Sequence, residues 1–459
     1  MIFYSVPFLI LFLVSSVLLG VSKNTKQQHL VMLLTNCVFY GSWDIRFLLL
    51  LFLEIAVCYV MMLTFDKTKR RIFMVIPTIL CLGVLGIFKY CNFFLSSASE
   101  IFGLADTITL NLIIPLGVSF YTFQALSYIF DVYRGAIKPE KDFVKLSVYL
   151  SFFPQITSGP IVKAKNFLPQ LDFLHKLDKK NISQGLQLFL LGLTKKVVFA
   201  DRIGFAVDAV FSAPQAYNGI SILFAVLGYA MQIYCDFSGY SDMAIGIAYM
   251  WGFDLGKNFN MPYLAKNPSD FWGRWHISLS SWFKEYVYIP LGGSRAGKFK
   301  TYRNLFITML LSGIWHGASW TFVVWGVLHA LYSVIHKLCS SSSKAKRKSR
   351  HPVLCMSANF VVICALWVVF RASDMGVAID IFKGLFALDG ITYINVYVVV
   401  FLVLIALSNV YSYVKNNSDA IKVNLNLDAF KNKLILVIWI GLIAMFAYVG
   451  DSAFIYAQF

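Results

Sequence analysis

Charge is scarce in this chain. Only 14% of its 459 residues are Asp, Glu, Lys or Arg, where soluble domains carry roughly a quarter, and this argues against a large water-soluble protein. Acidic residues are the scarcer sign, 23 against 40 basic ones, for a net charge of +17. In a soluble domain that excess would point to nucleic acid; in a membrane protein, retention of Lys and Arg in cytoplasmic loops is the simpler cause. No pair of cysteines has the CxxC spacing of a zinc or redox site, so the eight cysteines, with Cys37, Cys58, Cys81, Cys91 and Cys364 in apolar runs, read as small core hydrophobes. There is no GxxxxGK[ST], HExxH or GxSxG motif, which removes nucleotide hydrolysis, zinc peptidase and ordinary serine-hydrolase chemistry. The first 21 residues lack a basic leader and a small-residue cleavage site, so they are expected to stay as a first span. What is abundant is apolar surface: 58% hydrophobic residues, 17% aromatic with 42 Phe, and a mean hydropathy of +0.69. The composition is that of a polytopic membrane protein.

A spanning helix needs about 20 apolar residues. Such stretches occur at 1–21, 46–65, 72–89, 184–200, 219–235, 392–414 and 433–450, and shorter runs at 29–42, 108–130, 146–162, 305–316, 321–338 and 357–370 fill the gaps. Basic loops lie between them: Lys67 to Arg71, Lys163 to Lys180, Arg295 to Arg303 and Lys344 to Arg350. The positive-inside rule makes these cytoplasmic and places both termini and the 371–391 segment outside. With no internal repeat, a single domain is the economical expectation.

The stretch from Phe253 to Arg303 differs from the rest: polar, Trp-rich, basic, with Pro262, Pro268 and Pro290. Irregular backbone is not tolerated against lipid, so this segment belongs at an interface or in a protein-lined cavity. After it, the 12-residue run from Leu305 to His316 is interrupted at Gly317 before an apolar pattern resumes at Trp320. Basic residues flank both arms, and the expected result is a re-entrant or short-helix hairpin with His316-Gly317 at its apex. An ionisable residue inside a membrane is costly and points to function, and the flanking Gly313 and Gly317 allow close backbone approach. A core histidine satisfied by Ser312 or Ser319 is the competing reading. His276, between Trp275 and Trp282 in a polar aromatic segment, competes with an interfacial belt residue. His29, His175, His329, His336 and His351 have no polar constellation around them in the sequence and read as structural or surface residues.

Few carboxylates fall in apolar runs: Glu54, Asp131, Asp236 and Asp242. A proton- or ion-coupled transporter would use such groups. Asp236 and Asp242 lie six positions apart, on faces about 240° apart on a helix, and read as helix-fixing polar groups instead of a shared ion site.

Five segments together resemble the alginate O-acetyltransferase branch of the membrane-bound O-acyltransferases: QIYCDFSGYSDMAIG from Gln232 to Gly246, NFNMPY from Asn258, FWGRWHISLSSWF from Phe271, YIPLGGSR from Tyr288 and LSGIWHGASW from Leu311. The likeness extends upstream to PLGVSFYTFQ from Pro115, FFPQITSGPI from Phe152 and GLTKKVV from Gly192. The resemblance implies an all-α polytopic fold in a bacterial cell membrane, with about 11 spanning helices plus re-entrant and interfacial helices around a central funnel. It implies His316 as the catalytic residue and His276, 40 positions earlier, as its partner. Neutral imidazole has the pKa suited to removing an alcohol's proton as it attacks a thioester, and Trp275 and Trp315 would exclude water. The implied donor is cytoplasmic acetyl-CoA, with Arg274, Lys284 and Arg295 as phosphate contacts and no metal or bound cofactor. The implied acceptor is an exported polysaccharide or cell-wall glycan, reached through an extracytoplasmic acetyltransferase partner of SGNH type or similar. A sister group that exports D-alanine to teichoic acid is the main alternative, and a transporter without acyl chemistry a further one. The ending FIYAQF is similar to the aromatic terminus of this branch, and the resemblance implies Tyr456 as an acyl carrier; an interfacial anchor is the bland alternative.

Overall fold

The computed structural model describes residues 1–103, 109–157, 159–295, 297–340, 351–387, 390–414, 425 and 429–448. Tyr456 and the Lys344 to Arg350 loop lie outside the described residues. Regular structure among the described residues is helical throughout, without a strand. Five of these helices are long and apolar enough to cross a membrane: Ile45–Thr68, Ile72–Phe102, Gly219–Met250, Trp320–Ser340 and Pro352–Arg371, while Val6–Val21 is a shorter apolar helix.

Several expected boundaries are corrected. The apolar run 72–89 continues through a π-helical turn, Gly86–Tyr90, into a helix ending at Phe102. The run 184–200 sits inside a longer helical stretch, Lys179–Leu193 followed by a π-helical Thr194–Ala200 and by Asp201–Ser212. The run 146–162 is broken, because Phe143–Ser151 stops before Pro154 and only Phe153–Ile156 follows as helix; proline has no N–H to continue the ladder. Most consequential, the 219–235 run extends to Met250, straight past Asp236. That carboxylate is neutralised from the side: Lys196 Nζ lies 2.6 Å from Asp236 Oδ1 and 2.8 Å from Asp201 Oδ1, with all three side chains buried. A charge that ends an apolar run in the sequence therefore does not end the helix.

The chain divides into two compact units, each discontinuous in sequence: Met1–Leu190 with Ser241–Gly256, and Leu191–Tyr240 with Lys257–Phe459. In the first, Phe3, Phe8, Phe39 and Phe153 form one aromatic cluster with ring centroids 5.2–6.4 Å apart. Asn36 ties this core together, donating to Ser151 Oγ at 3.0 Å and accepting from the Phe153 amide at 3.1 Å. Helices meet there backbone to backbone: a Cβ on Gly185 would stand 2.5 Å from the Gly246 carbonyl oxygen, the close approach that small residues permit between membrane helices.

In the second unit, Lys298–His316 and Trp320–Ser340 form an antiparallel hairpin joined at Gly317. The hairpin and its apex are as expected, but the first arm is a 19-residue helix, not a 12-residue one. Its first turns carry Lys298, Lys300 and Arg303, which an apolar count skips and a helix end accommodates. The arms touch through glycine. A Cβ on Gly313 would lie 2.5 Å from the Phe322 carbonyl oxygen and 2.7 Å from Gly326 Cα.

Candidate active site

His316 is the last residue of its helix and is buried. Three aromatic rings enclose it edge-on: Trp315 at 5.0 Å, Trp325 at 5.1 Å and Phe370 at 5.4 Å between centroids. The apex of the hairpin brings the first two, and Phe370 comes from the last turn of Pro352–Arg371. The next residue, Gly317, is required by space: a Cβ there would overlap the Phe322 ring.

His276 is fully buried in the same unit. It caps the short helix Ile277–Phe283 with a left-handed backbone, φ 43°. That conformation is uncommon for a residue with a Cβ, though histidine is among those that adopt it more often. Neighbouring segments hold it there: the Ile277 amide donates to the Asn258 carbonyl at 2.8 Å, and the Asn260 amide to the Arg274 carbonyl at 2.9 Å. The imidazole Nδ1 lies 3.1 Å from Asn258 Oδ1, which also accepts from Ser278 Oγ at 2.8 Å. An amide oxygen only accepts, so the imidazole donates through Nδ1 and its neutral form offers an acceptor at Nε2. Burial pushes the His276 imidazole down to about 3, which keeps the ring neutral. Phe237 packs edge-on at 4.6 Å, and Trp315 reaches His276 at 6.1 Å. Trp315 thus contacts both histidines.

A cavity of about 480 Å³ opens in this unit, lined by Lys284, by Lys337 and Tyr288, which both meet Ser294 Oγ, and by Trp272, Thr308 and Ser312. Ser312 is one turn before His316 on the same helix. Two stripes at four-residue spacing run along the hairpin. Asn304, Thr308, Ser312 and His316 are buried on the first arm, and Trp325, His329, Ser333 and Lys337 share a face of the second. The latter stripe runs from Lys337, in the cavity lining, to Trp325, the ring beside His316.

The structure places the sequence-derived candidates unevenly. His316 and His276 come together around Trp315, and Lys284 lines the cavity. Arg274 is held by Asp270, with Nε to Oδ1 at 2.6 Å, and donates to the Asn260 carbonyl at 3.3 Å. It thereby steadies the loop that carries Asn258. Arg295 is exposed and is not part of the cavity lining. Trp275 is buried against Phe271 and Trp367, at 5.7 and 4.9 Å. Asn258, Ser278, Trp325, Phe370 and His329 were missed by sequence reasoning. The four-residue spacing was the available signal for Trp325 and His329; nothing local marks Asn258 as the partner of a histidine 18 positions later.

Among the described residues no cluster of three or more His, Cys, Asp or Glu could hold a metal ion. The arrangement suits proton transfer: a buried imidazole at a helix end, a neutral second imidazole fixed by an amide, and aromatic walls beside a cavity with cations at its edge.

The chain is similar to known proteins over most of its length. The family model described as MBOAT, membrane-bound O-acyltransferase family, matches residues 137–373, which include both histidines. The chain is 37% identical to probable alginate O-acetylase AlgI of Pseudomonas aeruginosa over 84% of this chain and 75% of that protein. It is 36% identical to peptidoglycan O-acetyltransferase of Helicobacter pylori, over 82% of this chain and 77% of the relative. Teichoic acid D-alanyltransferase of Bacillus subtilis is 31% identical over 48% of this chain and 58% of its own length. With half of the chain matched by the family model and most of it aligned to such relatives, the chain belongs to the membrane-bound O-acyltransferase family.

Proposed function

We propose that this protein is a membrane O-acetyltransferase that moves acetyl groups from cytoplasmic acetyl-CoA across the bilayer for O-acetylation of an exported polysaccharide or cell-wall glycan. The observation that carries the reading is His316 at a helix end, inside an aromatic enclosure shared with His276 and one turn from a cavity edged by lysines. His316 takes the proton of the acceptor hydroxyl as its oxygen attacks the acetyl carbonyl carbon. The carbon–sulfur bond then breaks, and the proton passes to the departing thiolate. His276 positions the acceptor or the first imidazole through its fixed tautomer, and Trp315, Trp325 and Phe370 keep water from the thioester. Alginate and peptidoglycan, in the names of relatives aligned over most of the chain, support a glycan acceptor. The D-alanyl alternative rests on relatives aligned over about half of it, so acetyl is the favoured donor group. Purified protein incubated with radiolabelled acetyl-CoA and a glycan acceptor is expected to transfer label or release free thiol; neither event with folded protein would refute the reading.

At the cavity edge, Lys284 and Lys337 are the phosphate contacts of this reading. Arg274 and Arg295, also expected there from the sequence, have the other placements described above. Exposed charge contacts are worth about 0.2–1 kcal/mol. Lys284→Ala and Lys337→Ala are each expected to raise KM for acetyl-CoA roughly two- to fivefold with little change in kcat. An unchanged KM in the double variant would remove both lysines from the donor site.

The 459 residues act in this reading as one catalytic domain with about 11 spans, both termini outside and Lys67 to Arg71 inside. Reporter tags after Phe459 and within 340–350 should then mark opposite compartments. With its end outside, the hydroxyl of Tyr456 accepts acetyl and hands it to an extracytoplasmic transferase partner, splitting one transfer into two. Tyr456→Phe keeps an interfacial ring and removes only the oxygen; glycan acetylation is expected to collapse with the protein still in the membrane, and full activity would leave Tyr456 an anchor.

A further inference from the structure

Three rings stand in mutual contact between the cavity and His316. Trp272 and His329 are 5.0 Å apart, Trp325 and His329 4.5 Å, and Trp272 and Trp325 5.9 Å between centroids. Trp272 lines the cavity, and Trp325 is the ring packed on His316. His329 is 1% exposed and so is Trp325, with Trp272 at 9%. Among the described residues, neither ring nitrogen of His329 and neither indole N–H of Trp272 or Trp325 meets a hydrogen-bond partner.

Buried polar atoms in folded proteins are nearly all paired, and four that meet no partner among the described residues here belong to three rings in mutual contact. If these side chains served only to fill space, phenylalanine would do so without the desolvation cost of the nitrogens. The group is also one-sided. Each indole only donates, and a neutral imidazole has one donor and one acceptor, so three donors stand against one acceptor. A set of that kind suits an oxygen that only accepts. Ser333 and Lys337 follow His329 at successive four-residue steps and line the cavity together with Trp272, while His329 and Trp325 are not in its lining; a molecule entering past the lysines meets Trp272 first and reaches the level of His329 before that of His316.

We propose that His329, with Trp272 and Trp325, binds a carbonyl oxygen of the acyl donor, either the thioester's own or an amide of its arm, and so sets how deep the donor sits relative to His316. The proposal rests on the reading of the cavity as the acetyl-CoA site. His329 holds the donor in place and takes no part in the proton transfer.

His329→Phe keeps the ring packing and deletes both nitrogens; His329→Gln keeps one donor group and one acceptor. The probes are free coenzyme A and acetyl-dethia-CoA, whose ketone carbonyl stands where the thioester has its own. Wild-type full-length protein in detergent is expected to bind both. In His329→Phe, affinity for the ketone analogue should fall about tenfold or more, the loss of a buried hydrogen bond, with thermal stability equal to or above wild type. Gln at the same position should restore affinity to within about threefold of wild type. A loss confined to the ketone analogue identifies the thioester carbonyl; an equal loss for free coenzyme A identifies an amide carbonyl of the arm. Wild-type affinity for both probes in His329→Phe would overturn the proposal and leave His329 a core residue. Should that variant fail to fold, Trp325→Phe removes one N–H and is expected to weaken binding in the same pattern, unchanged affinity again overturning it. Wild-type protein that binds neither probe would refute the donor-site reading itself, and this proposal with it.

Discussion

Replacing His316 by alanine is expected to lower acetyl transfer by a factor of about 10²–10⁴, the usual contribution of a positioned general base. Alanine also leaves a void among Trp315, Trp325 and Phe370, so His316→Gln, which fills more of that space and has no basic nitrogen, is the cleaner variant. His316→Gln should reach the membrane at near wild-type levels, whereas the void lowers the stability of His316→Ala. Transfer of label from acetyl-CoA to glycan, normalised to folded protein, is the measurement. Near-normal activity in His316→Gln would end the general-base assignment. His276 makes a milder demand. Asparagine tolerates the left-handed φ of 43°, so His276→Asn keeps the turn and deletes the ring. Activity should fall less than in the His316 variants, and the same substitution by valine should also cost stability, since a β-branched residue is poorly suited to that backbone.

The second large effect is on folding. Lys196 holds two buried carboxylates, Asp201 at 2.8 Å and Asp236 at 2.6 Å. Lys196→Met removes the cation from both of these buried ion pairs. Breaking a buried pair from one side typically costs about 3–5 kcal/mol, a large share of the 5–15 kcal/mol by which ordinary domains are stable. The expected outcome is a protein that accumulates poorly or unfolds at a much lower temperature in detergent. Adding Asp236→Asn and Asp201→Asn to Lys196→Met should recover a substantial part of the loss, because neutral amides no longer need a counter-charge. A Lys196→Met protein with wild-type thermal stability would show that water or rearrangement supplies the missing charge balance.

Asp236 also shows where sequence reading of the fold stops. An apolar count ends the helix at residue 235 because a charge follows, whereas the helix runs to Met250 with the charge neutralised by Lys196 forty positions earlier. The same count begins the first arm of the hairpin at Leu305, seven residues after its true start at Lys298. In both places the backbone ladder is indifferent to side-chain polarity, and only the surroundings decide whether a charge can be carried. The candidate site divides in the same way. His316 stands out in the sequence because it interrupts an apolar hairpin, and His276 because its segment is polar and rich in tryptophan. Asn258, which fixes the His276 tautomer, lies in the same segment, but nothing local marks it as the partner of that histidine. Trp325 and His329 follow the four-residue rhythm of one helix face, but that rhythm alone does not distinguish a core stripe from the wall of a site.

The membrane class, the helical content, the hairpin and the histidine at its apex follow from the sequence by itself. Lipid rejects unpaired backbone and exposed charge, so apolar length and basic loops report directly on spans and turns. These are local properties, set within a few helical turns. Which side chains face one another was decided by tertiary structure: the pairing of His276 with Asn258, the two acids gathered on Lys196, the three rings around His316 and the cavity edged by Lys284 and Lys337. Each of these joins different segments of the chain, and helix packing over glycine contacts such as Gly313 on Gly326 sets the register between them. Periodicity gives the face of each helix, and only packing gives what that face meets.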